Sequence, residues 1–265
     1  MRLKLTILGC GNSSGVPAVG NYWGDCDPNE PKNRRFKCCL AVQSEDTTII
    51  IDTGADFRSQ MNMFNITSLD CVFYTHHHGD HTNGIDDIRS FYFRGGRSII
   101  PCMGGQFSLS EISDRFSYLF DGGNHSYFYP SILDPKPFTD NQYGKEQQFN
   151  DISFIPFEMD HGTCISMGYR FGDVSYCVDM KRLDDKALNI IKGSRIWIVD
   201  GAGYNNPDND VHSDLETIFE YNKIIGADQV YISSLSTLMD YQTLLKDLPE
   251  GFLPAHDGLV IDIKK

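Results

Sequence analysis

Thr75-His76-His77-His78-Gly79-Asp80-His81 gathers four of the chain's eight histidines, with an aspartate, into seven residues. It follows the apolar run Cys71-Val72-Phe73-Tyr74, which reads as a buried strand, and Gly79 interrupts any continuation. Imidazole and carboxylate donors on one short turn are what a borderline metal ion needs. His76 and His78 can face one ion, while Asp80 and His81 point toward a second. Two adjacent ions can hold an attacking hydroxide and a phosphoryl oxygen together. An expression tag would sit at a terminus, and this stretch lies well inside the chain.

The 265 residues are 40% hydrophobic and 22% charged, which predicts a single globular domain over 1–265 with a substantial core. A formal net charge of -13 repels nucleic acid and anionic membranes at long range, so neither is expected as a partner. The basic run Lys32-Asn33-Arg34-Arg35 is either a site for one small phosphate ester or a solvated loop. The 8 cysteines form no C-x-x-C pair, and several lie in apolar strand-like runs, as small buried hydrophobes do. Met1-Arg2-Leu3-Lys4-Leu5 opens a strand rather than a signal peptide, and no apolar run reaches membrane-spanning length. A reduced, cytoplasmic location is the expectation.

Alternation and turn residues predict strands at 2–8, 39–43, 47–51, 98–102, 153–158, 165–171, 174–178, 195–199, 229–232 and 259–263. Helices are predicted at 57–64, from 84 onward, and at 106–120, 184–191 and 241–248. Ser213-Asp214-Leu215-Glu216 reads as a capping box opening a further helix to residue 225. The glycine loop Gly9-Cys10-Gly11-Asn12-Ser13-Ser14-Gly15-Val16-Pro17 lacks the third glycine in register of a dinucleotide site, and Pro17 stands where its helix should grow. Its glycines are expected to let backbone pass close to a metal centre or ligand. Residues 121–151, with their prolines and aromatics, read as an irregular excursion with short strands, a rim over the site or a dimer contact. His125 within it reads as a surface residue. Strands with helices mostly in alternation give an α/β fold of two sheets with helices outside.

His161 and Asp179 each close a predicted strand, so they can converge with the histidine turn on one rim, where Asp179 can bridge two ions. Asp52 and Asp56, just past another strand, are either acceptors for a ligand imidazole or turn residues. The pattern His76-x-His78-x-Asp80-His81, then Asp160-His161-Gly162, then Asp179, resembles the metallo-β-lactamase superfamily. Leu8-Gly9-x-Gly11, Ser14-Gly15-x-Pro17, Pro31-Lys32-Asn33-Arg34-Arg35, Asp52-Thr53-Gly54-x-Asp56-x-Arg58, Gly84-Ile85-Asp86-Asp87-Ile88-Arg89 and Asp257-Gly258-Leu259 are similar to its phosphoribosyl cyclic phosphodiesterase branch. The resemblance implies a four-layer αββα sandwich and a hydrolase with one or two divalent transition metal ions, zinc or manganese first. It implies that His76, His78 and His161 hold one ion, Asp80 and His81 the other, with Asp179 between, and that Asp80 and His212 serve catalysis. The chain departs from the family in Tyr231-Ile232-Ser233-Ser234-Leu235, where relatives carry Thr-His, so Ser234 stands at the second ion's last imidazole. Cys26 alone does not complete the structural zinc cluster of some relatives. His256 is a conceivable substitute ligand, less favoured than a structural role.

The implied activity is a phosphodiesterase of small cyclic or nucleotide-like phosphate esters, acting on a small-molecule substrate, with a homodimer as one assembly. The alternatives are a binding or regulatory module on a degraded hydrolase scaffold, and a hydrolase of another ester class.

Overall fold

Alternating side chains decide the first sheet. The computed structural model describes residues 2–122 and 130–264, so His125 lies outside the described residues. Strand β1 (Arg2–Gly9) turns Leu3, Leu5 and Ile7 to one face, and after a bulge between Ile7 and Gly9 it turns Leu8 to the other. β2 (Cys39–Gln43), β3 (Thr48–Ile51) and β4 (Cys71–Phe73) do the same: Leu40, Val42, Ile49, Ile51 and Phe73 face inward, and Cys39, Ala41, Ile50 and Val72 face outward. Both faces are buried, which is why these strands read as nearly continuous apolar runs. β5 (Ile100–Gly104) and β6 (Leu133–Pro137) complete one side of the sheet.

The second sheet comprises β7 (Gln147–Phe149), β8 (Ile152–Asp160), β9 (Ile165–Phe171), β10 (Val174–Cys177), β11 (Ile196–Asp200), β12 (Gln229–Ser233) and β13 (Phe252–Pro254), and β14 (Val260–Lys264) returns to pair with β1. The orders are β14-β1-β2-β3-β4-β5-β6 and β13-β12-β11-β10-β9-β8-β7. In each sheet three antiparallel pairings give way to three parallel ones. The parallel halves point their C-terminal strand ends to one edge, where the loops carry the histidines and aspartates, the usual place for a site in an α/β sheet.

Helices cover the outer faces. α1 (Phe57–Met63), α2 (Gly79–Thr82), α3 (Arg89–Arg94), α4 (Gln106–Arg115) and α5 (Ser117–Phe120) lie in the first half, and Phe57, Phe91, Leu109, Ile112 and Leu119 pack on Ala41, Ile50 and Val72. α6 (Asp185–Ile191), α7 (Leu215–Ile225) and α8 (Tyr241–Asp247) place Leu188, Ile218 and Leu244 in the core of the second sheet. The result is the αββα sandwich. Between the sheets, directly below the histidine turn, the Phe73 ring lies 4.7 Å from Phe154 and 5.1 Å from Tyr169. Such pairs contribute about 0.5–1.5 kcal/mol each beyond area burial. At the rim the sheets are joined by hydrogen bonds: Met167 N donates to Thr75 O at 2.8 Å, and the Tyr169 hydroxyl to Tyr74 O at 2.7 Å.

Several expectations change. The helix over 106–120 breaks at Phe116, and Pro254 ends a short strand, β13, that apolar patterning does not announce. The short strands expected within 121–151 are present among its described residues as β6 and β7, an edge strand for each sheet. Ser213 is not the cap of α7: its hydroxyl donates to Lys181 O, and Asp214 accepts from Thr217 N instead. The glycine loop packs closely against neighbouring backbone, and its residues Ser14, Gly15, Val16 and Pro17 line a cavity. Gly11 bridges Lys37 and Leu235, and a Cβ on Gly9 would meet Lys37 O at 2.0 Å.

Gly54 and Gly84 are where close approach governs the site. A Cβ on Gly54 would lie 2.0 Å from Asp80 O, and one on Gly84 would lie 2.1 Å from Gly54 O. The loop after β3 is thereby pressed against α2, with Thr53 N donating to His81 O and Gly84 N to Thr53 O, both at 2.8 Å. Gly54→Ala must push α2 off this loop. Overpacking of this kind costs about 1–3 kcal/mol, so denaturant unfolding should show that loss, and metal titration should show weaker binding than in the wild type.

Candidate metal centre

The strand ends build the site from below. β3 is followed by Asp52, β10 by Asp179 one residue on, and β12 by Ser234; all three are buried and adopt positive φ, at 67°, 52° and 54°. Non-glycine residues in that region are uncommon and concentrate where geometry serves function. β4 leads into the histidine turn, β8 into His161, and β11 ends in Asp200.

Three groups of potential ligand atoms result, each with all its atoms within 4.8 Å of one another: His76, His78 and His161; His76, His81 and Asp179; and His161, Asp179 and His212. The donor set is mixed imidazole and carboxylate, as zinc, manganese or iron sites use. The ring orientations fit a metal. Asp52 accepts from Thr75 N and from Thr75 Oγ1, both at 2.8 Å, and pairs with His81 Nδ1 at 2.7 Å. With its proton committed to Asp52, Thr75 Oγ1 can accept from His76 Nδ1 at 3.0 Å. That leaves the lone pair of His76 on Nε2, which is buried and has no hydrogen-bond partner. His161 Nδ1 donates to Val211 O at 2.8 Å, turning Nε2 inward. These partners fix tautomers as the outer contacts of metal ligands do. An orphaned buried imidazole nitrogen is costly unless something binds it, so the residues fit a divalent ion.

The electrostatics agree. Burial disfavours charge on His81, yet the carboxylates of Asp179, 2.8 Å from Nε2, and of Asp52 hold its pKa well above the usual imidazole value. Burial likewise opposes ionisation of Asp179, but the surrounding histidines, His81 foremost, pull it well below the usual carboxylate range. The cavity is built to keep a carboxylate anionic against a concentrated positive charge, the condition a metal ion also meets. On the opposite side, His212 Nδ1 pairs with Asp200 Oδ2 at 2.6 Å and lies 3.8 Å from Asp179 Oδ1. Burial lowers its pKa, and Asp200 more than reverses this, raising it to about 9.

Asp80 falls outside the three ligand groups; its Oδ2 lies 3.3 Å from His81 Nε2 on the same rim. Ser234 is buried with its hydroxyl 3.5 Å from Cys38 Sγ. Burial pushes that thiol up to about 12, and the charge of Asp179 adds to the rise. His256 belongs to none of the groups; it contacts the Asp257 carbonyl and the ring of Tyr241. Asp56 is not a partner of a ligand histidine: it accepts from Lys37 N and pairs with Lys37 Nζ. The Lys32–Arg35 run is structural where it is buried. Asn33 and Arg35 have little exposure, and the Arg35 guanidinium donates to Lys32 O, Ser236 O and Asn33 Oδ1. Sequence reading missed Asp200, Thr75 and the Val211 carbonyl. Asp200 carried a usable signal, since it closes the apolar run Ile196-Trp197-Ile198-Val199 as Asp52 closes Ile49-Ile50-Ile51.

Residues 47–233 match the beta-lactamase superfamily domain. The chain belongs to the beta-lactamase superfamily. Within it, the sandwich and the histidine turn are those of the metallo-β-lactamase hydrolases, in the PhnP-like branch. The crystal structure of a new diphosphatase from the PhnP family superposes with a TM-score of 0.87 at 28% identity, covering 99% of this chain and 98% of that one. Zinc-bound PqqB from Methylobacterium extorquens shares the fold, with a TM-score of 0.72 at 15% identity over 98% of this chain and all of that one. A protein of Porphyromonas gingivalis called octanoyltransferase is 28% identical over 99% of this chain. The chain spans about half, 52%, of that curated relative's length.

Two outcomes are expected. The double variant His76→Ala/His78→Ala should lose metal by elemental analysis while remaining folded by circular dichroism; unchanged stoichiometry would remove the assignment. With Ser234 in place of an imidazole, the second ion should bind more weakly than the first. Ser234→His should tighten only the second event in a metal titration, and His256→Ala should change neither; two equally tight ions in the wild type would defeat this asymmetry.

Proposed function

We propose that the protein is a metal-dependent phosphodiesterase of small cyclic or nucleotide-like phosphate esters, including diphosphate linkages. The observation that carries the reading is the His212–Asp200 pair, 2.6 Å apart, with His212 facing Asp179 and grouped with it and His161 at the edge of the ligand clusters. Asp200 also accepts from Met180 N and Ala202 N, both at 2.8 Å, so its carboxylate is fixed and the imidazole it holds is fixed with it. With Nδ1 engaged by Asp200, Nε2 is the ring nitrogen left to meet a substrate. A histidine whose pKa is raised to about 9 keeps its second proton at neutral pH and can deliver it to a leaving oxygen. Bound divalent ions would supply Lewis acidity and lower the pKa of water, held by His76, His78, His161 and Asp179, with Asp80 and His81 toward a second. The diphosphatase function of the PhnP-family neighbour supports a phosphorus centre as the target.

A small-molecule substrate, rather than nucleic acid or membrane, is favoured by the net charge of -13. Among the described residues no helix is long and apolar enough to cross a membrane. Eight free cysteines support a reducing, cytoplasmic setting. A second reading, hydrolysis of an acyl ester or thioester, is favoured by the octanoyltransferase name of the Porphyromonas gingivalis relative, 52% of whose length the chain matches.

Metal-loaded protein should hydrolyse bis(p-nitrophenyl) phosphate or a cyclic nucleotide and leave an octanoyl thioester intact; the reverse pattern would transfer the assignment to the acyl reading. His212→Ala should lower kcat on the phosphodiester by about 10²- to 10⁴-fold, the range for loss of a general acid, with metal content unchanged.

A further inference from the structure

Three of the four histidines of the turn contribute to the ligand groups, and His77 does not. Its side chain leaves the centre on the side of α4. There its ring meets that of Phe107, in the first turn of α4, with centroids 5.3 Å apart and planes at 86°. On its other side the His77 ring lies 5.2 Å from that of His78, a member of the first ligand group. Phe107 is therefore one ring beyond a candidate metal ligand. A lone exposed aromatic residue on a protein surface needs no explanation, but Phe107 is 64% exposed at this spot, not at random. The neighbouring edge is apolar as well. Ile165, the first residue of β9, is 51% exposed, and Cys164 before it places Sγ 4.0 Å from His78 Nε2. The turn itself is held: Arg115 Nη1 donates to His77 O at 2.9 Å and lies 3.4 Å from Thr82 Oγ1.

Two nearly perpendicular rings make a corner. A flat ring entering it can stack on the open face of Phe107 while its edge meets the imidazole of His77, a combination of dispersion and polar contact that favours aromatic over aliphatic groups. We propose that Phe107 and His77 form a subsite for the nucleobase of a nucleotide ester whose phosphorus sits at the metal centre. The inference rests on the phosphate-ester reading of that centre and narrows its substrate class. The polar rim around the metal groups would take phosphate and sugar, and the Phe107 corner would select esters that carry a ring.

The test compares two monophosphates that differ only in the base, AMP and ribose 5-phosphate, binding to the metal-loaded full chain by calorimetry. Stacking of one base on one aromatic side chain amounts to roughly 5- to 150-fold in affinity. Wild type should therefore bind AMP at least about fivefold tighter than ribose 5-phosphate, and in Phe107→Ala that preference should fall toward one with metal content unchanged. Phe107 is largely exposed, so the variant is expected to fold, and circular dichroism checks it. Equal binding of the two ligands by wild type, or a preference retained in Phe107→Ala, overturns the subsite alone. Failure of both phosphates to bind overturns the phosphate-ester reading and the subsite together.

Discussion

One buried carboxylate, that of Asp52, joins the first sheet to the histidine turn. It accepts two bonds from Thr75 and pairs with His81, and its own backbone N donates to Phe73 O at 2.8 Å. Burial drives its pKa upward, so an isolated carboxylate there would be strongly disfavoured. The three hydrogen bonds offset that cost and convert it into position. Through Thr75 Oγ1 the constraint reaches the tautomer of His76; through His81 Nδ1 it aims Nε2 at Asp179. The positive φ of Asp52 is the backbone expression of the same demand. Gly54 and Gly84 extend it by letting the loop after β3 lie directly against α2.

The second sheet uses the same device. Asp200, at the end of β11, accepts from two backbone N–H groups and fixes His212 as Asp52 fixes His81. Asp52 follows β3, the strand at which the first sheet changes from antiparallel to parallel pairing, and Asp200 ends β11, the parallel neighbour of β10, at which the second sheet makes the same change. Asp179 lies between the two histidines they hold, 2.8 Å from one and 3.8 Å from the other. The centre is thus assembled across the sheet interface, and the inter-sheet bonds of Met167 and Tyr169 to the backbone of the β4 end keep its two halves in register.

The rim after β12 is chemically different. Ser233, Ser234 and the protonated Cys38 thiol form a cluster of neutral hydroxyl and thiol groups. Neutral hydroxyls are poor ligands beside imidazole. The imidazole donors His76, His78 and His161 gather elsewhere on the rim, where the His78 ring adjoins His77 and, beyond it, Phe107.

Much of this was fixed locally. The strands are legible because their residues are buried on one or both faces, so that runs such as Ile49-Ile50-Ile51 and Val174-Ser175-Tyr176-Cys177 leave little freedom in how they pair. The ligand turn is legible because its donors are adjacent in sequence, and His161 and Asp179 because each follows an apolar run. What sequence could not supply is the set of contacts between residues far apart in the chain. His212 with Asp200, His161 with the Val211 carbonyl, and Ser234 with Cys38 depend on how one sheet is laid over the other. The buried state of Arg35 and Asn33 depends on the loop at 236–241 that closes over them. A periodic pattern records which face of a strand is buried, because burial acts on each residue in turn. Which donors share a cavity is decided only when two packed sheets bring distant strand ends within hydrogen-bonding range.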